Sequence, residues 1–394
     1  MRGVMIAGVG MVKFGRSDAT LSDLMSAASL LALRYAALGD RAVDGVVVAN
    51  MGAARINRQT AIASALVDRL QLFPATAETV ENGPASGSSA VKVGFQAVAS
   101  GMADVVLVTG VEKMRAANNL EATDFVASMS HPEAEYIYGV TLPSLAGMFA
   151  RAHMERFGVT RRHLALVAIK NHQNAMGNPY AHIQQPITME GILESPEAVV
   201  NNPPIAEPLH LFDCCPVSDG AASIVLVSEE VAKGLGGPLV AVAGIGQGTD
   251  THAVHEREEP TRLKAVEIAA ERAFGMAGLT PDQIDVAELH DAFTILEIAE
   301  SEAAGFFGRG EGHLALERGD TAIGGKLPIN PSGGLKARGH PVGATGVAQI
   351  VELAWQLRGE ADGRQVDGAR CGFAVNFGGF GNNVVATVLR REDR

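Results

Sequence analysis

The sequence predicts an α/β fold of two similar halves, the first carrying a long insertion. Three observations predict it: strand-length apolar runs alternate with longer helical patterns, the alternation recurs with the same rhythm in the second half, and a polar, proline-punctuated stretch interrupts the first. Continuous apolar runs separated by amphipathic segments mark parallel strands covered by helices on both faces. In the first half the strands are "VMIAGVG" (4–10), "VDGVVVAN" (43–50), "ATAETVEN" (75–82), "ADVVLVTGVE" (103–112) and "ASIVLVSEE" (222–230), with helices at 21–37, 57–70 and 84–101. The second half repeats this with "PLVAVAGIGQG" (238–248), "IDVAELHDA" (284–292), "KLPINPSGG" (326–334), "CGFAVNFGG" (371–379) and "NVVATVLRR" (383–391). Its helices fall at 260–278, 294–307 and 341–359. The expected organisation is a first half of residues 1–117 and 221–236, an insertion over 118–220 and a second half over 237–394. A long excursion between two strands is usually a lid or binding loop, so the insertion is expected to cover the active site.

Composition narrows the function. At 394 residues and 47% hydrophobic, the chain can bury two cores. A formal net charge of -12 argues against broad binding to nucleic acid, which rests on Lys and Arg neutralising phosphates. Cys214, Cys215 and Cys371 form no metal-ligand spacing, and no metal site is expected. No run is long enough to cross a bilayer, and Met1 leads into strand-like sequence without a cleavable signal pattern, which reads as cytoplasmic.

Four stretches at strand ends carry the chemistry: "ENGPASG" (81–87), "ELHDAF" (288–293), "NPSGGLKARGHPVGATG" (330–346) and "VNFGGFGNN" (375–383). Open α/β sheets place ligands at strand ends. His340, fixed before Pro341 at a strand-to-helix turn, suits a rigid acid/base; the plainer alternative is a turn or cap histidine. His290, before Asp291, has the same two readings, and a pair of imidazoles beside glycine turns favours catalysis. Asn376, Gly378, Gly379 and Gly381 form either a backbone donor loop for developing negative charge or a tight hairpin. Cys214 and Cys215 read as packing cysteines before a buried strand.

The order of "VTGVEKM", "KNHQNAMGNPYAH", "DCCPVSDGAAS", "ELHDAF" and "NPSGGLKARGHPVGATG" resembles the thiolase superfamily, specifically its sterol-carrier-protein and archaeal types. The resemblance spans nearly the whole chain. It implies two five-stranded mixed-sheet halves in a five-layered αβαβα fold, a homodimer, and a coenzyme A thioester as substrate with no bound cofactor. It also implies a cysteine nucleophile at the start of the first-half helix, activated by the His of GHP. The His of HDAF would help polarise the thioester, and a second Cys or His would precede the final glycine loop.

Carried over, His290 and His340 match, while Pro84 stands at the nucleophile position and Val375 at the second acid/base position. Proline supplies neither a nucleophile nor the backbone N–H that the cysteine gives to the oxyanion hole. Ser86, Ser88 and Ser89 are not expected to substitute, since helix periodicity turns Ser86 away from residue 84. Lys170, Asn171 and His172 in the insertion read either as contacts to pantetheine or phosphate or as a solvated helix face.

Three functions follow from this resemblance. The first is an acyl-coenzyme A carbon–carbon lyase of aldol type, with Phe293 and His340 standing where related steroid side-chain aldolases have tyrosines. Such aldolases work with a small partner built from a zinc ribbon and an oligonucleotide/oligosaccharide-binding fold. The second is a conventional acetyl-coenzyme A C-acyltransferase with an unrecognised nucleophile, and the third a non-catalytic acyl-coenzyme A-binding scaffold.

Overall fold

The computed structural model describes residues 1–236 and 238–392. Residue 237, the expected start of the second half, lies outside them, as do 393 and 394. In chain order the strands are β1 (Val4–Met11), β2 (Gly45–Ala49), β3 (Thr76–Val80), β4 (Val105–Lys113), β5 (Pro204–Ala206), β6 (Leu209–His210), β7 (Asp219–Ser228), β8 (Leu239–Thr249), β9 (Val286–Glu288), β10 (Cys371–Gly378) and β11 (Asn383–Glu392). All but the β5–β6 hairpin join one sheet of order β3-β2-β4-β7-β1-β8-β11-β10-β9.

The duplication is visible in strand directions. Outward from the seam the first half runs β1, β7, β4, β2, β3, with two antiparallel pairings and then two parallel ones. The second half runs β8, β11, β10, β9 with the same directions, and Ile329 adds a single parallel bridge to Ala287 in the place of a fifth strand. The halves meet where Met5 and Ile6 pair with Ala241 and Val240. The sheet is therefore mixed rather than parallel. A continuous apolar run reports that both faces are buried and is silent on strand direction.

Two sequence-predicted strands shorten for identifiable reasons. The 326–334 run holds Pro328 and Pro331, which have no N–H to donate, and Asn330 sits at φ 55. The 284–292 run stops at Glu288 because the following donors go to side chains: Leu289 N–H to Asn330 Oδ1 at 2.8 Å and His290 N–H to Glu300 Oε2 at 2.7 Å. That departure from the ladder puts His290 in a loop held by buried groups.

Helices Ser86–Ser100 and Val342–Arg358 form the central layer, sharing one core with Val106 and Ile224 of the first half and Val286 and Val385 of the second. Every residue of Val342–Arg358 is buried. The two helices touch backbone to backbone: a β-carbon on Gly87 would stand 2.6 Å from Gly346 N. Leu21–Ala36 covers the outer face of the first half and Lys264–Ala277 that of the second, which completes five layers.

Between β4 and β7 the chain forms helices Asn119–Ala127, Leu142–Phe157 and Arg161–Ala175 and the β5–β6 hairpin. Pro143 does not interrupt this segment but starts its second helix, behind a Thr141–Ser144 capping box. The segment is less polar than its composition suggests. Leu145, Phe149, Leu164 and Val167 enter the second-half core with Ala265 and Ile295. No helix among the described residues is long and apolar enough to cross a membrane.

Candidate active site

Four loops meet at a cavity of about 70 Å³ lined by Pro84, His290, Phe293, His340, Phe377, Gly379 and Phe380, with Val126, Met129, Leu142 and Cys215 supplied by the insertion or its end. Pro84 precedes helix Ser86–Ser100 by two residues, ahead of its cap Ala85, rather than lying in the first turn. The turn that carries it is closed by Ala85 N–H to Asn82 O (3.1 Å), Ser86 N–H to Gly83 O (3.1 Å) and Asn82 N–H to Ser86 Oγ (2.8 Å). None of these bonds uses residue 84, so proline costs the turn no donor. Ser86 Oγ also donates to Gly83 O at 2.6 Å and Ser89 Oγ accepts from Asn82 at 2.9 Å, so both hydroxyls are committed to the turn. Ser88 Oγ is buried without a hydrogen-bond partner among the described residues, and neither it nor the other two serines lines the cavity.

His290 and His340 face each other with ring centroids 5.0 Å apart and planes at 87°. Their hydrogen bonds place the ring protons differently. Asn376 Oδ1 accepts the Ser88 N–H at 3.2 Å, which turns Asn376 Nδ2 toward His290 Nδ1, also at 3.2 Å. An imidazole that accepts at Nδ1 carries its proton on Nε2. Thr345 Oγ1 lies 3.1 Å from Pro341 O and 2.7 Å from His340 Nδ1, and with its hydroxyl on Pro341 O it receives the His340 Nδ1–H. His340 Nε2 therefore keeps a lone pair. In that arrangement His290 presents an Nε2–H and His340 a free Nε2 lone pair.

Burial keeps both rings neutral. His340 is pushed down to about 3, first by burial and then by the Arg338 guanidinium. His290 is held well below its usual value by burial, with His340 and Arg338 adding to it. Glu300, which accepts the His290 N–H, is driven well above the carboxylate range by burial. Glu288 is raised by burial despite Arg338 Nη1 at 3.0 Å. Asp291 ties the two histidine loops together: it accepts from Leu335 N–H at 2.6 Å, Lys336 N–H at 3.3 Å and Asn171 Nδ2 at 2.7 Å. Pro341 caps helix Val342–Arg358 instead of opening it, and His340 is further fixed by its N–H to Ser218 Oγ at 3.2 Å.

The structure does not bring every expected residue to this cavity. Val375 points into the core that holds Phe293 and Phe377, and its neighbour Asn376 is the residue that reaches His290. Gly379 lines the cavity, whereas Gly378 lines only the adjoining outer cleft and Gly381 packs its φ 78 backbone against Phe377. Lys170 is bound to Glu297 (3.0 Å), Ile329 O (2.6 Å) and Asn171 (2.7 Å), Asn171 to Asp291 and Glu297, and His172 to Gln185 O (2.8 Å). Asn171 and His172 are buried, Lys170 is partly buried and lines a separate cleft of about 520 Å³, and none of the three lines the cavity that holds the histidines.

Thr345 lies inside the GHPVGATG motif, five residues after the histidine it orients and one helical turn after Pro341; that spacing is the available signal. Cys215 reaches the cavity because its N–H bonds Ala292 O at 2.9 Å, a pairing the sequence does not show. Its thiol is pushed up to about 12 by burial. Among the described residues no group of three or more His, Cys, Asp or Glu is arranged to hold a metal ion.

Comparison with known proteins identifies relatives over the whole chain. Residues 4–230 match the family model "Thiolase, N-terminal domain" and residues 246–391 match "Thiolase C-terminal domain-like". The chain is 43% identical over 392 residues to an acetyl-CoA acetyltransferase of Methanothermobacter thermautotrophicus, covering 99% of this chain and 100% of that one. It is 35% identical over 410 residues to sterol carrier protein 2 of Homo sapiens, covering 99% of this chain and 72% of that one. Among solved structures, an Ltp2-ChsH2(DUF35) aldolase superposes with a TM-score of 0.85 at 27% identity, covering 100% of this chain and 98% of that one.

Proposed function

Because the chain belongs to the thiolase family and is thereby an acyl-coenzyme A enzyme, we propose that it makes or breaks a carbon–carbon bond without an acyl-enzyme, by aldol or retro-aldol chemistry. One observation carries the reading: two neutral histidines of opposite tautomer face each other where the residue beside them is a proline. In the cleavage direction His340 Nε2 takes the β-hydroxyl proton of a β-hydroxyacyl thioester. The Cα–Cβ bond breaks, its electrons form the thioester enolate, and the β-carbon leaves as an aldehyde or ketone. His290 Nε2–H donates to the enolate oxygen, and the proton held on His340 then goes to Cα. Atoms and charge balance without a nucleophile on the protein.

Pro84 stands, in this reading, where the family's thiolases carry cysteine. Acyl transfer would lack both the thiol and one oxyanion N–H, and losing one such donor costs roughly 10² to 10³ in rate. The test is to incubate purified protein with β-hydroxyacyl-coenzyme A thioesters and, separately, with acetoacetyl-coenzyme A plus coenzyme A. Carbonyl release from the first, lost in His340→Ala, is expected. Thiolysis of the second at comparable rate would sink the proposal.

Cys215 favours a second reading, acetyl-coenzyme A C-acyltransferase chemistry on an unrecognised nucleophile, because its residue lines the cavity. Its raised pKa weighs against it, since the thiolate is the nucleophile. Fast labelling of Cys215 by iodoacetamide with parallel loss of activity would support that reading.

A homodimer and a small partner protein complete the proposal. Strand β3 is an exposed sheet edge, the feature through which a second copy can pair. The aldolase neighbour is a complex with a DUF35 protein, which supports looking for such a partner here.

A further inference from the structure

Glu288 and Arg338 each stand two residues before a histidine, and their side chains meet. Arg338 Nη1 lies 3.0 Å from Glu288 Oε2, and neither side chain has exposed surface. The contact joins the end of β9, which runs on into the His290 loop, to the end of the short helix Gly334–Arg338, which runs on into His340. Ser332 braces it. Its N–H donates to Glu288 Oε1 at 3.2 Å and its hydroxyl to Glu288 Oε2 at 2.7 Å, while Arg338 Nη1 donates to the hydroxyl oxygen at 3.2 Å. Resting on the retro-aldol reading above, we propose that Arg338 is a positioning residue: its pairing with Glu288 spaces the two histidine turns, and its positive charge favours the enolate that forms between them.

Stability does not account for the pair. Taking a carboxylate and a guanidinium out of water is costly, and the cost is recovered only where their remaining groups are satisfied. Arg338 Nε and Nη2 are buried with no hydrogen-bond partner among the described residues. A fully buried cation left short of partners, two residues from the reacting base, points to a use for its charge.

The ionisable groups around the histidines set the sign of the field. Arg338 holds both imidazoles down, adding to the effect of burial. Burial pushes Glu288 above the carboxylate range, so it compensates the guanidinium incompletely, and it raises Asp291, Glu300 and Glu112 as well. Glu297 and Glu352 are paired with Lys170 and Arg364, and the Cys215 thiol is driven up to about 12. Lys336, buried on the same short helix, stands over Phe212 and acts on Cys214 and Cys215. It adds a second cation and no anion. Arg338 does not line the cavity, so its charge acts through space, weakly screened in a buried site. An enolate oxygen held by His290 gains from it, and a proton resting on His340 is pushed on toward Cα.

The experiment binds acetoacetyl-coenzyme A without free coenzyme A and follows the ultraviolet band of its enolate across pH, which reads enolate stability without turnover. Wild type, Glu288→Gln and the double variant Glu288→Gln/Arg338→Met are compared, each checked for a wild-type melting profile. Glu288→Gln removes the counter-charge in a side chain of the same shape, and should raise the enolisation constant of the bound thioester about threefold or more. The double variant removes both charges and should lower that constant roughly tenfold or more below wild type, with kcat for carbonyl release from 3-hydroxybutyryl-coenzyme A falling alongside. A merely structural pair would give losses of the same sign in both variants. An unmoved constant, or a fall in both, overturns the proposal. Enolisation that moves as expected with no carbonyl release in wild type would refute the aldol reading and keep the charge; release with enolisation unmoved would do the reverse.

Discussion

Replacing Thr345 by valine removes one oxygen and keeps the shape, so its effect isolates the proton on His340. In the native site Thr345 Oγ1 accepts the Nδ1–H of His340 at 2.7 Å and is itself fully buried. With valine, an Nδ1–H would be buried and unpaired, at a cost of about 1–3 kcal/mol. The ring can escape that cost by moving its proton to Nε2, where it faces the cavity. The tautomer balance then shifts by the same amount, which at about 1.4 kcal/mol per decade is roughly 5- to 150-fold. Since the Nε2–H tautomer cannot accept the substrate proton, kcat should fall by about that factor while KM moves little. Thr345→Ser restores the oxygen and should recover most of the rate. Long-range imidazole ¹H–¹⁵N spectra should show the protonated nitrogen of His340 change from Nδ1 to Nε2 in Thr345→Val only. A valine variant with wild-type kcat, or a serine variant as slow as the valine one, would refute the assignment of His340 as a base poised by Thr345.

Pro84→Cys should fold with a stability change within about 1 kcal/mol, because the turn uses no donor at that position; the introduced thiol should alkylate rapidly, and sluggish labelling would mean that His340 does not activate that place. The kcat/KM profile should show no ionisation near pH 6.5, because both histidines are already neutral there, His340 being down at about 3; a limb near 6.5 that disappears in His340→Gln would contradict this. Glu112 is raised to about 7 by burial, although it accepts from Met51, Gly52 and Gly343 N–H groups. Its folded-state pKa lies above its unfolded one, so its stabilisation is full below about 4.5 and lost as pH rises through 7; urea melts should show Glu112→Gln gaining about 3 kcal/mol on wild type between those limits, and a constant difference would count against the shift. Gly346→Ala would place a β-carbon 2.2 Å from Asn376 Oδ1 and 2.3 Å from Ser88 N. It should cost about 1–3 kcal/mol of stability and slow turnover by displacing the Asn376–His290 bond, whereas wild-type turnover would show that this bond is dispensable.

What the sequence made legible follows from how each feature is encoded. Strands such as Val105–Lys113 and helices such as Val342–Arg358 are written in local hydrophobic pattern, and they lie within two residues of where that pattern predicts them. The 284–292 strand ends early because Glu300 on the following helix and Asn330, forty-one residues on from Leu289, take the donors that a ladder would use. His290 and His340 were legible because motif and strand-end position coincide. The roles of Thr345 and Asn376 were not, because a tautomer depends on the partner of the other ring nitrogen. Lys170 and Asn171, which the sequence leaves open between substrate contact and a solvated face, are tied inward for a related reason. Their polarity reads as exposure, yet Glu297 and Asp291, more than a hundred residues on, satisfy them internally.

The consequences of proline at position 84 can be followed through the same geometry. Acyl transfer passes through a tetrahedral intermediate whose oxygen must be held by donors beside the nucleophile. On that side of the cavity residue 84 has no N–H to offer, and the nearby serine hydroxyls are committed or turned away. An enolate asks for less. Its charge develops on the thioester oxygen, where a single fixed donor such as His290 Nε2–H suffices, and its proton traffic needs one neutral base. Both requirements are met by groups whose tautomers are set from outside the cavity by Asn376 and Thr345. On the proposed reading, proline at position 84 withholds what acyl transfer needs and leaves intact the parts that an aldol step needs, and the turn that carries it keeps its hydrogen bonds.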